Sequence, residues 1–351
     1  MRRILIAILL INFHFSLKAE DTINYWIIDT SSNFNQSHSP FENTLTMWML
    51  RQNFTLNAYQ ANIGNTYPIS GMNEKAVSRA YFDMFLPVVN KNSFSAMLGT
   101  SYSKFPILAE NDSLNKTLVD VCRLWLPIQY THNRWKITLL YEYFQRGDYN
   151  SLYTQTGNTH RAFLLASYNF NLKWQLSTML VYAVTQMEAE KRIMAVPAFQ
   201  LRYKPNSDFT MTFGAPVIFA CEWTVLDKID IAFSQLMLDD TDSYIRYNFN
   251  KKIGVSLNYK STNYASSDIF FKNETISLDG QNLTYNNLKQ QQTSLSLKLG
   301  IKTFNHIGVI LSGGYNIGQT IWLHNNNDLA DKSNGRNEFY IGINVQYLKL
   351  F

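Results

Sequence analysis

From about residue 44 onward, apolar and polar side chains alternate in segments of roughly ten to fifteen residues. A period of two puts successive side chains on opposite faces of a strand, whereas a helix repeats every 3.6 residues. The clearest segment is 293–303. Leu295, Leu297, Leu299 and Ile301 share one parity, and Ser294, Ser296, Lys298, Gly300 and Lys302 share the other. Trp135, Ile137, Leu139, Tyr141 and Tyr143 repeat the pattern, as do Ile253, Val255, Leu257 and Tyr259.

The connectors alternate between two sizes. Short ones centre on Asn90-Lys91-Asn92, His132-Asn133, Asn171, Pro205-Asn206-Ser207, Asp227-Lys228, Asn250-Lys251 and Asn305-His306. Each carries a residue suited to a tight turn. Between them lie longer polar stretches at 61–76, 106–116, 147–159, 187–192, 239–243, 265–290 and 320–336. Short turns at one end and long loops at the other predict an all-β, transmembrane, antiparallel up-and-down β-barrel. Both termini then fall on the short-turn side, so the strand number is even. The best count is 16, within a range of 12–16, provided that Gly214-Ala215-Pro216 forms a tight outer loop. The segment 208–213 is short for a strand that crosses a membrane, which takes about 9–11 residues.

Composition agrees. Charged residues make up 16% of the 351 residues and aromatics 15%. Few charges and many aromatics exclude disorder. After the first 17 positions no apolar run reaches the roughly 20 residues of a membrane helix. Two cysteines exclude a disulfide scaffold. A lipid-facing parity offset by a polar one gives this mixture in a barrel.

The two ends carry the most specific signals. Met1-Arg2-Arg3, followed by an apolar core from Ile4 to Ile11 and then Ala19, predicts a signal peptide over 1–19, cleaved after Ala19. Removing Arg2, Arg3 and Lys18 takes the net charge from +5 to +2, so no nucleic-acid partner is expected. Residues 20–43 form a polar periplasmic lead-in, and 44–351 the barrel. At the other end Phe339, Ile341, Ile343, Val345, Tyr347 and Phe351 share one face of a final strand. This resembles the C-terminal strand of Gram-negative outer-membrane barrels, and the chain as a whole resembles uncharacterised barrels of that kind common in Bacteroidota. The resemblance implies that Val345, Tyr347 and Phe351 are the insertion signal read by the barrel-assembly machinery. It also implies outer-membrane lipid as the surroundings. Lys349 departs from the pattern by falling on the apolar face. Snorkelling to the headgroups and a one-residue bulge near Leu348 are both open.

A Lys or Arg on the lipid side at mid-bilayer costs roughly 2–4 kcal/mol, so strand charges are expected to point inward. Arg79, Asp83, Arg123, Glu142, Arg146, Arg161, Arg202, Arg246 and Lys298 are the main lumen-facing candidates. Lys136, Lys173, Lys204, Glu222, Asp230, Lys252, Lys260 and Lys302 fall on the same parity. Basic residues predominate there, while the long loops are acidic. A positive lumen favours small polar or anionic solutes. The alternative is a set of charge networks that plug and rigidify a structural or secretion-accessory barrel. Trp135, Trp174, Tyr130, Tyr168, Phe170, Tyr203, Phe249 and Phe304 lie near short-turn ends and suit an interfacial girdle.

No enzyme is expected, an outer-membrane hydrolase (lipase or protease) being the least favoured alternative. The six histidines show no metal-ligand spacing, and His160, the one placed for a Ser–His site, has no nucleophile motif beside it. No cofactor or metal is implied. Cys122 and Cys221 fit either a disulfide or two buried thiols. Loop 265–290 is open to two readings, an inward constriction or an outward projection.

Overall fold

The computed structural model describes residues 58–350, apart from 70–78, 92, 107–117, 148–157, 187–190, 216–217, 227, 237–239, 251, 264–268, 279–280, 305–306 and 326–327. The expectations for 1–19, 20–43, 44–57 and Phe351 lie outside the described residues.

Eighteen strands follow one another: β1 (Ala58–Pro68), β2 (Arg79–Lys91), β3 (Phe94–Pro106), β4 (Leu118–His132), β5 (Trp135–Gly147), β6 (Asn158–Asn169), β7 (Trp174–Gln186), β8 (Lys191–Tyr203), β9 (Phe209–Ala215), β10 (Ile218–Val225), β11 (Ile229–Leu236), β12 (Asp240–Asn248), β13 (Ile253–Asn263), β14 (Ile269–Leu278), β15 (Gln281–Phe304), β16 (Ile307–Asn325), β17 (Asp328–Asn334) and β18 (Glu338–Leu350). Sixteen of them are staves of a closed antiparallel barrel. β1 to β13 pair in order, β13 pairs with β15, β15 with β16 and β16 with β18. β18 then pairs with β1 from Tyr340 opposite Pro68 to Leu350 opposite Ala58. Closure pairs the first described stave with the last, sparing their backbone groups the cost of being unpaired in lipid.

Strand ends flank each of the seven predicted short turns, and the described turn side chains show why. Asn171 Oδ1 accepts from the backbone N–H groups of Lys173 (2.8 Å) and Trp174 (3.0 Å). Asn206 does the same for Asp208 (3.1 Å) and Phe209 (2.9 Å), and Asn250 for Lys252 (2.7 Å) and Ile253 (3.0 Å). A short amide thus satisfies two donors that the ladder cannot reach, the Asx device. Asn133 takes the left-handed conformation with φ 51°, which asparagine tolerates.

Several long stretches depart from the expected loops. Part of 61–76 belongs to β1. Within 265–290, β14 pairs with the outer half of β15, and within 320–336, β17 pairs with the end of β16. β14 and β17 are therefore extensions of the wall rather than staves. Their sequences lack an apolar parity because strands beyond the membrane have water on both faces, so periodicity could not reveal them. β14 also meets the far side of the ring, where Phe270 pairs in parallel with Gly147 of β5. That contact carries the extension across the outer mouth.

The outer surface is apolar. Leu124, Leu126, Ile137, Leu139, Leu164, Leu176, Leu180, Leu257, Leu295, Leu297, Leu311 and Ile343 are all exposed. A belt this large on a single chain marks a surface made for a non-aqueous neighbour. Aromatic pairs edge it at the short-turn end, with ring centroids 4.8 Å apart for Trp135–Tyr168, 4.4 Å for Trp174–Tyr203 and 5.0 Å for Tyr247–Phe249. This is the expected girdle.

At the closing seam two inward tyrosines lie over glycines. Gly64 stands opposite both Tyr81 and Asn344. The Tyr81 ring occupies the space that a Cβ at 64 would need, and its hydroxyl reaches across β1 to accept from Asn344 Nδ2. Tyr340 covers Gly314 in the same way. The C-terminal register runs unbroken to Leu350, so β18 carries no bulge near Leu348.

Candidate functional site: the inner wall

The inner parity brings Arg123, Glu142 and Arg161 together. Trp125 stands opposite Glu142 across β4–β5, and Glu142 opposite Arg161 across β5–β6. Trp125 Nε1 donates to Glu142 Oε1 at 2.9 Å. Arg161 Nη1 lies 3.7 Å from Glu142 Oε2, and the two side chains are 7% and 0% exposed. The Arg123 guanidinium lies 5.7 Å from the centre of the Trp125 ring, within cation–π range. One carboxylate is thus held among two guanidiniums and an indole, away from water.

A second cluster sits on the lower wall. Asp230 Oδ2 accepts from Arg246 Nε (2.9 Å), Arg246 Nη2 (2.7 Å) and Asn248 Nδ2 (2.8 Å). Asp230 Oδ1 accepts from Thr224 Oγ1 at 2.8 Å. Arg246 also lies 5.5 Å from the Tyr244 ring centre. The two N–H groups that Arg246 aims at one carboxylate fix the relative heights of β11 and β12.

A third group lies on β13–β15. Lys298 is buried opposite Ser256, and Asn258 stands opposite Ser296 and donates to Ser256 Oγ at 3.0 Å. Arg202 is half-buried opposite Thr212. Arg79, Asp83 and Arg146 keep the expected strands and register, opposite Thr66, Asn62 and Val121, but their side chains lie outside the described residues. Lys173 and Lys252 fall in short turns and Lys204 just past β8, so they belong to the rim rather than the lumen.

The remaining inner-face charges favour the basic side by eight to five among the described residues. Arg123, Lys136, Arg161, Arg202, Arg246, Lys260, Lys298 and Lys302 share the wall with Glu142, Glu222, Asp230, Asp242 and Glu338. The wall is positive by less than the sequence parity suggests.

The sequence reading missed an apolar band. Met97, Leu140, Phe163, Leu165, Met179 and Ala198 are buried on the inner side of β3–β8. Leu140 stands opposite Phe163, Leu165 opposite Met179, and Met179 opposite Ala198. The signal was available in runs such as 162–166 and 179–184, where both parities are apolar. Trp125 was hidden likewise between Leu124 and Leu126.

His160 accepts or donates at 2.8 Å to the Tyr141 hydroxyl, with the Tyr143 ring 5.1 Å away. Its partner is a phenol rather than a serine. Cys122 on β4 and Cys221 on β10 are not joined by a disulfide. Among the described residues no three His, Cys, Asp or Glu side chains gather as metal ligands.

No protein-family model matches the sequence, and neither does any curated protein. Solved structures with a similar course are outer-membrane proteins. A bacterial polysaccharide outer membrane secretin is 11% identical, covering 84% of this chain and 99% of its own, with a TM-score of 0.36. CdiB from Acinetobacter baumannii is 9% identical over 83% of this chain and 60% of its own, with a TM-score of 0.42. The P. putida toluene transporter TodX is 7% identical over 84% and 90%, with a TM-score of 0.36.

Proposed function

We propose that the chain is an outer-membrane barrel that passes small polar or anionic solutes along a basic inner wall. The carrying observation is that the acids Glu142 and Asp230 are each engaged by an arginine. The surplus positive charge of the wall then acts on whatever enters, and low-dielectric surroundings strengthen its field. The exposed apolar belt and its aromatic edge support a place in outer-membrane lipid. The final strand, with Val345 exposed on the lipid face, supports delivery by the barrel-assembly machinery through Val345, Tyr347 and Phe351.

A non-conducting structural or secretion-accessory barrel is the second reading. The parallel pairing of Phe270 with Gly147 across the mouth favours it, as does the buried apolar band. Planar-bilayer recording under a salt gradient separates the two. Stepwise current with a reversal potential on the anion side supports the pore. Cation preference refutes it, and a silent bilayer with properly inserted barrel leaves the second reading.

A further inference from the structure

Adjacent residues of one strand share the same neighbouring strands, so a large difference in their exposure reports what lies over each face. On β5, Leu139 is 44% exposed and Leu140 1%. On β6, Leu164 is 47% exposed and Phe163 3%, and on β7, Leu180 is 47% exposed and Met179 3%. The contrast recurs on β15, where Leu295 and Leu297 are exposed while Ser294, Ser296 and Lys298 are buried. Strands about 4.8 Å apart cover the flanks of a side chain on both faces alike. Curvature adds little, because sixteen staves turn the wall by only about 22° from each to the next. The covered inner side chains therefore need a second layer over their tips.

Among the described residues, the pairings supply no such layer. Each of β3 to β8 pairs with the stave on either side, and β14 joins β5 where Phe270 meets Gly147 at the outer mouth. A round ring of sixteen strands with a tilt near 40° is about 30 Å across, whereas facing layers pack about 10 Å apart. The opposite wall then stands too far away. Arg123, Glu142, Arg161, Ser177 and Lys298 also make contacts beyond the wall pairs described above.

Residues 20–57 have the length, composition and charge for this layer. They lead into β1, whose Ala58 meets Leu350 at the short-turn end. The apolar run Leu45-Thr46-Met47-Trp48-Met49-Leu50 ends eight residues before Ala58. Eight extended residues span about 26 Å, so this run can reach the band of Leu140, Phe163, Leu165 and Met179 across the lumen. In the segment Glu20, Asp21, Asp29 and Glu42 stand against Arg51 alone, a net charge of −3. The described inner wall, with eight basic side chains against five acidic, has an excess of +3. The outer connections 107–117 and 148–157 carry only −1 each. We propose that residues 20–57 fold back into the barrel as a plug, with 45–50 on the apolar band and the acids on the basic wall. The plug concerns what lies on the wall, and it stands whether the barrel conducts or not.

The test places the photoreactive residue p-benzoylphenylalanine at Phe163 of the full chain in phospholipid vesicles. After illumination and trypsin digestion, cross-links are mapped by peptide mass spectrometry. The plug predicts adducts on the peptide that ends at Arg51. The same probe at Leu164, on the outer face, yields none there. Should the Phe163 variant lack the heat-modifiable folded form, Leu140 takes the probe, with the same expectation. Reversing three charges in D21K/D29K/E42K should lower the yield at least fivefold, because the segment then meets a wall of its own sign. Adducts confined to β11–β15 overturn the proposal in favour of a flattened ring. Adducts confined to 107–117 or 148–157 overturn it in favour of an inturned outer loop. An unchanged yield in D21K/D29K/E42K overturns the electrostatic docking. The cross-links are read without any current, so their absence leaves the bilayer recording to judge the pore by itself.

Discussion

Glu142→Ala is the most informative single substitution on the inner wall. The carboxylate is fully buried and serves the Arg161 guanidinium and the Trp125 indole N–H, with Arg123 lying over the indole ring. At 3.7 Å from Arg161, its attraction is about 4 kcal/mol at an effective dielectric of about 20. Its hydrogen bond to Trp125 adds about 1.5–3 kcal/mol. Desolvation of the charges offsets much of this, so the sum overstates the net. Removing one partner of a buried pair typically costs 3–5 kcal/mol, because the other charge is left unpaired. We expect E142A to lose about 3–5 kcal/mol, and E142Q to lose less because its amide oxygen still accepts from Trp125. Replacing both partners, as in E142L/R161M, should recover most of the loss. The assay is reversible urea unfolding in phospholipid vesicles, followed by tryptophan emission. A loss below about 1 kcal/mol in E142A, the range of a solvated surface pair, would refute a dry charge cluster. So would a double variant as unstable as the single one.

Three further outcomes follow from the geometry. Gly64→Val drives a branched side chain into the Tyr81 ring and should reduce the heat-modifiable folded fraction on gels; G64V/Y81A should restore part of it. Asn→Ala at 171, 206 and 250 removes two backbone acceptor contacts each; equilibrium unfolding should show losses of about 0.5–1.5 kcal/mol per site that add, because the turns share no partners. In single-tryptophan variants, brominated lipids should quench Trp135, exposed in the girdle, and spare Trp125, buried on the inner wall; equal quenching would reverse the assignment of faces.

The staves and turns were legible because lipid on one side and a polar inner wall on the other force a period of two. Leu295, Leu297 and Leu299 could face nowhere else. Where that contrast vanishes, the pattern vanishes too. β14 and β17 lie beyond the membrane, so polar residues suit both their faces. Phe163 and Leu164 are adjacent apolar residues on opposite faces of β6, and parity alone could not say that the inner one meets a band of its own kind. The charges Arg123, Glu142, Arg161, Arg246 and Lys298 were readable as inward. Which acid would engage which arginine depended on cross-strand register, a property of two segments and not of either alone. Hence the Glu142–Arg161 pair, 19 positions apart in the sequence, needed the fold.

The joining of β1 to β18 has a consequence for biogenesis. Ala58 meets Leu350, so the final contact in the ring unites the first and last of the described strands. Every other stave pair can zip from a local hairpin or a near neighbour, but this one waits for the whole polypeptide and bears a long loop-closure penalty. Until then both terminal strands offer open edges to any catalyst that can shelter them. The Tyr81 ring over Gly64, with its hydroxyl on Asn344 of the last strand, bridges three strands that come together only at that moment. It is therefore a lumen-side latch, complete only once all three strands have met.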